Sequence, residues 1–111
     1  MFAFRTLLVW GREFSFNLLI SGASLQYFEA RLSPEKLHSQ PWLFSIQESP
    51  WDWALDQNSH QPLTSVSDSR WKAQIQQRGW VKISISHALA DFHEVPQRGA
   101  AIWEDLLKTF Q

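Results

Sequence analysis

The sequence contains no cysteine, and this absence excludes several kinds of protein chemistry. Disulfide bonds, zinc sites built on thiolates and thiol nucleophiles all require cysteine. Glycine is scarce as well. With four glycines in 111 residues, the chain has no glycine-rich phosphate-binding loop and no Gly-x-Ser-x-Gly motif. The sequence therefore gives no support to nucleotide chemistry or to covalent catalysis, and it predicts no cofactor.

The sequence also lacks runs of like charge and long apolar stretches. Ten Lys plus Arg oppose eleven Asp plus Glu, for a net charge of −1, so a clustered basic surface for nucleic acid is not expected. No stretch approaches the roughly 20 apolar residues of a membrane span. Arg5 interrupts the apolar start of the chain, which argues against a signal peptide. We expect a cytoplasmic protein that binds neither nucleic acid nor membrane.

Aromatic residues are abundant instead, with seven Trp and eight Phe. The hydrophobic fraction of 44% and the charged fraction of 19% are those of a chain that folds without help. A chain of this length forms one core, so residues 1–111 are predicted to be a single small soluble domain. Some of the Trp side chains are expected to remain exposed and to contact a partner.

Alternating side chains predict a first β-hairpin over residues 2–21. Large side chains recur at every second position on both sides of a short loop: Phe4, Thr6, Leu8, Trp10 and then Phe14, Phe16, Leu18, Ile20. A three-residue loop at positions 11–13 places Trp10 opposite Phe14. Residues 25–32 are interpreted as a third strand after a turn at 21–24.

A second hairpin is predicted over residues 70–86, where apolar residues again alternate. Gly79 would take the left-handed position of a three-residue loop. A helix over 70–78 that ends at Gly79 is the alternative. We favour the strands because the register and the turn agree.

The middle of the chain and its end carry helix signals. Ser33 and Ser49, each followed by proline, indicate one or two short helices, with a short strand around Phe44 between them. Residues 57–69 are polar and are predicted to form a long exposed loop. Apolar residues at helical spacing predict a C-terminal amphipathic helix: Ile102, Trp103, Leu106, Leu107, Phe110. The fold class is therefore α+β, an antiparallel sheet of about five to six strands packed against a C-terminal helix.

Three tryptophans and one aspartate form the candidate binding site. Trp51, Asp52 and Trp53 follow each other, and two indoles two residues apart cannot both share a helix stripe with Leu55. One of them is therefore expected to be partly exposed. Trp80 falls on the polar side of the second predicted hairpin, and an exposed indole there indicates contact with a partner.

Two histidines offer the main catalytic alternative. His87, Asp91 and His93 lie within seven residues and could supply a base with an orienting acid, or ligands to a divalent metal. Their spacing differs from the i, i+4 pattern that two metal-binding histidines show on a helix. A solvated connection before the last helix is the structural alternative, and no metal site is predicted.

Two fold-level resemblances accompany this interpretation. A sheet closed by a C-terminal amphipathic helix that bears Trp103 resembles pleckstrin-homology-like barrels. Only Arg12 is available for the basic loop that such lipid-binding domains carry between their first strands. As a small, Trp-rich and mildly acidic chain with a sheet and a helix, it also resembles bacterial immunity proteins and other inhibitors that plug the active site of a partner. Both resemblances concern architecture and imply little about function.

Together these observations predict a non-catalytic protein-interaction domain, such as an inhibitor or immunity-type protein, that binds another protein through exposed Trp residues. A small metal-dependent or hydrolytic enzyme using His87, Asp91 and His93 is the first alternative. A homo-oligomeric subunit or assembly factor is the second. The chain is expected to be a monomer or a homodimer.

Overall fold

A computed structural model describes residues 2–9, 13–37, 39–47, 49, 59–88 and 93–110. The strands are β1 Phe2–Val9, β2 Glu13–Ser21, β3 Leu43–Ser45, β4 His60–Pro62 and β5 Trp80–Ala88. The α-helices are α1 Gly22–Phe28, α2 Asp68–Arg78 and α3 Val95–Phe110, and short 3-10 turns occupy Glu29–Arg31, Glu35–Leu37 and Leu63–Ser65. All observed strand pairs are antiparallel, and the five strands form one sheet in the order β1-β2-β5-β3-β4. The predicted α+β fold class is confirmed.

The first hairpin is confirmed, but its register differs from the predicted one. Val9 lies opposite Glu13, so the strands join through residues 10–12, and Phe14 lies opposite Leu8. The predicted partner of Phe14 was Trp10, two residues away. A slip of two residues keeps every side chain on its face of the sheet, so the alternation of apolar residues could not distinguish these registers.

The segment after this hairpin is helical, and the predicted strand over residues 25–32 is wrong. Helix α1 begins at Gly22, whose φ of 60° lies in the left-handed region. Leu25 is buried within the core and Phe28 is half-buried against it. The Gly22 conformation lets the chain leave β2 and turn at once into a helix, where a turn at 21–24 was predicted.

In the middle of the chain, the first predicted short helix is a three-residue 3-10 turn, and the predicted short strand is present. Ser33 caps the turn Glu35–Leu37, with its Oγ accepting a hydrogen bond from the Lys36 backbone N–H at 3.3 Å. Strand β3 is three residues long and its Phe44 is completely buried. The second predicted helix, which would follow Ser49 and Pro50, lies outside the described residues.

The predicted exposed loop over residues 57–69 is wrong across the part that the structure describes, from 59 onward. His60 begins the edge strand β4, and Leu63 and Val66 are buried in the core. Helix α2 starts at Asp68. Polar composition was a poor guide here because the few apolar side chains of the segment anchor it to the core.

The first arm of the predicted hairpin 70–86 is a helix, which corrects the sequence interpretation. Ser67 caps α2 by accepting a hydrogen bond from the Arg70 N–H at 3.1 Å. Gly79 ends the helix at φ 71°, and its N–H bonds to the Ile75 carbonyl at 3.1 Å. The second arm is a strand as predicted, but β5 pairs with β2 and β3.

One face of the sheet packs against all three helices and forms the core. Helix α3 lies on this face, with Ile102, Leu106 and Phe110 buried. Gly99 allows a close approach, because a Cβ there would lie 3.1 Å from Cε1 of Phe16. The other core residues come from the strands, the turns and the remaining helices: Leu18, Ile20, Leu25, Leu32, Leu37, Trp42, Phe44, Leu63, Val66, Trp71, Val81, Ile83 and Ile85. The packing of a C-terminal helix on an antiparallel sheet is thus confirmed. Among the described helices, none has the length and apolarity needed to cross a membrane.

Candidate functional site

The structure describes only part of the predicted binding site. Trp51, Asp52 and Trp53 lie outside the described residues, so the partial exposure of one of the two indoles stays a prediction. Trp80 is 7% exposed, and its prediction as an exposed indole is wrong. Trp80 lies on the same face of the sheet as Leu19 and Lys82, and both of these side chains are also buried. This face is therefore enclosed and not open to solvent.

The predicted catalytic residues are not assembled into a described site. The backbone of His87 lies in β5 opposite Phe14. Asp91 lies outside the described residues, and His93 is exposed just before α3. Among the residues that the structure describes, no group of three or more His, Asp or Glu side chains is placed to hold a metal ion.

A buried polar layer covers the sheet face opposite the helices, and sequence analysis missed it. Asn17 is its centre: its side-chain amide donates to Ser15 Oγ at 2.8 Å, and its carbonyl oxygen accepts from Ser84 Oγ at 2.6 Å. Beside it, on three neighbouring strands, lie further buried polar side chains: Lys82, Ser45 and His60. Lys82 has no exposed surface at all.

Several polar side chains of this layer are hydrogen-bonded to one another, as buried polar groups in a protein interior are. Buried hydroxyl and amide groups must be paired, and the Asn17 bonds satisfy two serines at once. His60 adds a second local pair, with its Nδ1 2.7 Å from Ser59 Oγ. These side chains have almost no exposed surface and join neighbouring strands from within the fold.

The open edge of the sheet is the other candidate, and it lies at strand β1. Within the described part of the chain, β1 bonds to β2 alone, so one row of its backbone groups faces outward. Proteins protect such edges with proline, with several charges or by making the strand short. The opposite edge strand, β4, has three residues and ends at Pro62. Strand β1 has eight residues, no proline and one charged residue, Arg5, so among the described residues it carries none of these protections.

A groove lined by aromatic rings runs beside this open edge. Phe2, Phe4 and Trp103 line a shallow, widely open depression of about 360 Å³, and we call this space the edge groove. The Phe4 ring stacks on the Trp103 indole, with centroids 5.4 Å apart and planes at 30°. Phe2 meets the same indole edge-on at 6.0 Å.

The wall of the edge groove is held by further ring contacts. Phe2 packs against Phe28 at 5.2 Å and against Phe110 at 5.5 Å, and these two rings contact each other at 4.8 Å. Tyr27, which is 69% exposed, extends this aromatic surface and meets Phe28 at 4.9 Å. The groove is therefore preformed, since its rings are held by packing and not by solvent-exposed loops.

Arg31 ties the exposed end of this surface to helix α3. Its guanidinium carbon lies 5.7 Å from the centre of the Tyr27 ring, and its Nη1 donates to the Phe110 carbonyl at 3.1 Å. The hydrogen bond satisfies a carbonyl in the last turn of the helix. The cation over the ring keeps the exposed tyrosine in place.

Sequence analysis assigned Phe4 to the core face and Trp103 to the helix stripe, so neither was a candidate for binding. Both are half-buried beside the open edge of the sheet at β1. The alternation and the helical spacing give the face on which each residue lies, but not its distance from an edge. Comparison of the chain with protein-family models, with curated proteins and with solved structures gives no match, so its function must be argued from this geometry.

Proposed function

We propose that the chain is a non-catalytic protein-interaction domain that binds a strand of a partner protein along β1, beside the edge groove. The observation that carries this proposal is the unprotected β1 edge next to a preformed aromatic groove. In strand addition, backbone hydrogen bonds along an open edge give affinity, and pockets for alternate side chains give specificity. Strand β1 and the edge groove offer both.

The aromatic residues of the groove are suited to provide binding energy. Interface residues with the largest effects are enriched in large aromatic side chains that become desolvated on binding. Trp103 and Phe4 are half-buried in the free domain, so a partner side chain in the edge groove would remove their remaining surface from water. Because the rings are already ordered by packing, little side-chain freedom is lost on binding.

The catalytic alternative has no comparable support. Among the described residues there is no cluster of metal-binding side chains, and His93 is exposed on a turn. The polar layer around Asn17 is enclosed within the fold. An inhibitor or immunity-type protein would act by binding alone, and a strand-adding surface serves such a role without further chemistry.

The proposal predicts that a photo-reactive side chain in the edge groove will capture a protein. Benzoylphenylalanine placed at Phe4 puts the reactive group at the β1 edge, and at Gln76, which is exposed on α2, it provides the matched control. Both variants are irradiated in cells of the source organism and compared by mass. We expect a discrete cross-linked species from position 4 and not from position 76.

The mass of the captured species identifies the kind of partner. A species of twice the 13.0 kDa chain mass indicates self-association, and any other discrete mass indicates a different protein. If position 4 gives no discrete species, or the same species as position 76, the proposal that the β1 edge binds protein is wrong.

A further inference from the structure

The residues of strand β1 indicate which partner binds at its open edge, and this inference rests on the proposed function. We infer that the occupant is a second copy of this chain, whose β1 runs antiparallel to the first with Phe4 at the two-fold axis. The result is a continuous ten-stranded sheet across the dimer.

Two identical strands that pair antiparallel are related by a two-fold axis perpendicular to the sheet. Such an axis keeps each face of the sheet on its own side, so both α3 helices lie on the same face of the joined sheet. It also pairs residues of the same parity, because opposite residues must point to the same side. The two edge grooves, each lined by Phe2, Phe4 and Trp103, then open towards each other.

The β1 edge is complementary to itself. Phe2 and Phe4 lie on the side of β1 that faces the edge groove, so the strand of one copy brings two aromatic side chains to the groove of the other. The net charge of −1 gives little repulsion between copies. Each copy therefore provides both the added strand and the groove that receives it.

The charge of Arg5 selects the register. An axis at Arg5 would place two guanidinium groups opposite each other, and like charges directly opposite are destabilising. An axis at Phe4 places Arg5 opposite Ala3 of the other copy and brings the two Phe4 rings together between the Trp103 side chains. An axis at Thr6 would instead separate the two grooves along the strands. An axis at Ala3 would pair only residues 2–4 of the two strands, whereas an axis at Phe4 pairs residues 2–6. Phe4 is therefore the axial residue.

The first test is the mass of the purified chain in solution. We expect light scattering to give twice the 13.0 kDa chain mass at micromolar concentration and a lower value on dilution. The mass of a single chain over the whole range would overturn the inference.

The second test determines the register and uses the absence of cysteine. Ala3→Cys and Arg5→Cys are made in separate chains, one of them tagged, mixed and oxidised. Directly opposite residues in an antiparallel pair lie about 4.5–5.5 Å apart between Cα atoms, which a disulfide can span. Two cysteines at the same position in both copies would be offset by two residues, roughly 7 Å along the strand, and out of reach. We expect a mixed disulfide between the two variants and none when either is oxidised alone.

The outcomes separate the inference from the proposed function. A dimer without the mixed disulfide, or one in which Arg5→Cys joins to itself, overturns the register with Phe4 at the axis. A monomeric chain that still cross-links to another protein from position 4 overturns self-pairing but supports strand addition to a different partner. A monomer that gives no cross-link overturns both.

Discussion

Replacement of Asn17 by leucine is expected to lower the free energy of unfolding by about 2–4 kcal/mol, since two buried hydroxyls lose their partner at once. The Asn17 amide group joins Ser15 on its own strand to Ser84 on β5, and all three side chains are at most 1% exposed. Leucine fills the space but forms neither bond. Urea denaturation followed by tryptophan fluorescence measures the change.

Ser86→Ala provides the control for this prediction. Ser86 lies on the same strand and the same face as Ser84, but it is exposed. Its replacement should change the free energy of unfolding by less than about 0.5 kcal/mol, as for most surface positions. If Asn17→Leu is as mild as the control, the hydrogen bonds of the polar layer do not stabilise the sheet.

Replacement of Phe4 by lysine is expected to raise the dissociation constant of the dimer about 30-fold or more, the change that corresponds to the roughly 2 kcal/mol of an interface hot spot. The lysine removes a ring that stacks on Trp103 and places two charges at the axis. Charged residues at edges are also the means by which proteins prevent strand addition. Analytical ultracentrifugation over a concentration series measures the constant.

Two further variants separate an effect on binding from an effect on folding. Phe4 also packs against Phe16, with centroids 6.5 Å apart, so its replacement can weaken the fold. Thr6→Lys adds the same charge at an exposed position of β1, which in the dimer lies opposite Phe2 of the other copy. It should weaken the dimer without changing thermal stability. Gln76→Lys on α2 should change neither, and a Thr6→Lys dimer as tight as that of Gln76→Lys would contradict pairing through β1.

Local patterns in the sequence predicted the elements that have one clear periodicity. Strand β2 alternates polar and apolar residues from Glu13 to Leu18, and α3 places Ile102, Leu106 and Phe110 at helical spacing on its buried side. In both cases one side of the element is apolar over several repeats. This periodicity was enough to assign each residue to a face of its element. The two-residue error in the hairpin register did not change these assignments, because a shift of two residues keeps each side chain on the same face.

Helix α2 shows where such patterns are ambiguous. Trp71 and Ile75 are four residues apart, which fits a helix, but with Ala73 between them they also alternate as in a strand. The stronger evidence lay at the ends of the segment. Ser67 before an acidic residue and Gly79 after a basic one are the signals of a capped helix, and both function as caps in the structure.

The two features on which function depends could not be obtained from local patterns. Whether β1 is an edge depends on the strand order, which places β5 between β2 and β3 although α1, α2 and two strands separate β2 from β5 along the chain. Whether the Asn17 face is enclosed depends on what packs there, and its serines and lysine have the composition of an exposed surface. Both are properties of the assembled sheet.

Amide hydrogen exchange of β1 at two protein concentrations tests the central claim most directly, because the claim is that a second strand covers this edge. At high concentration, the outward-facing amides of residues 2–6, the part of β1 that pairs when the axis is at Phe4, should be protected, and on dilution below the dissociation constant they should exchange at least about tenfold faster. The amides of β5, which lies inside the sheet, should be protected equally at both concentrations. Exchange of the β1 amides at one rapid rate at every concentration would contradict the claim that a second strand covers them.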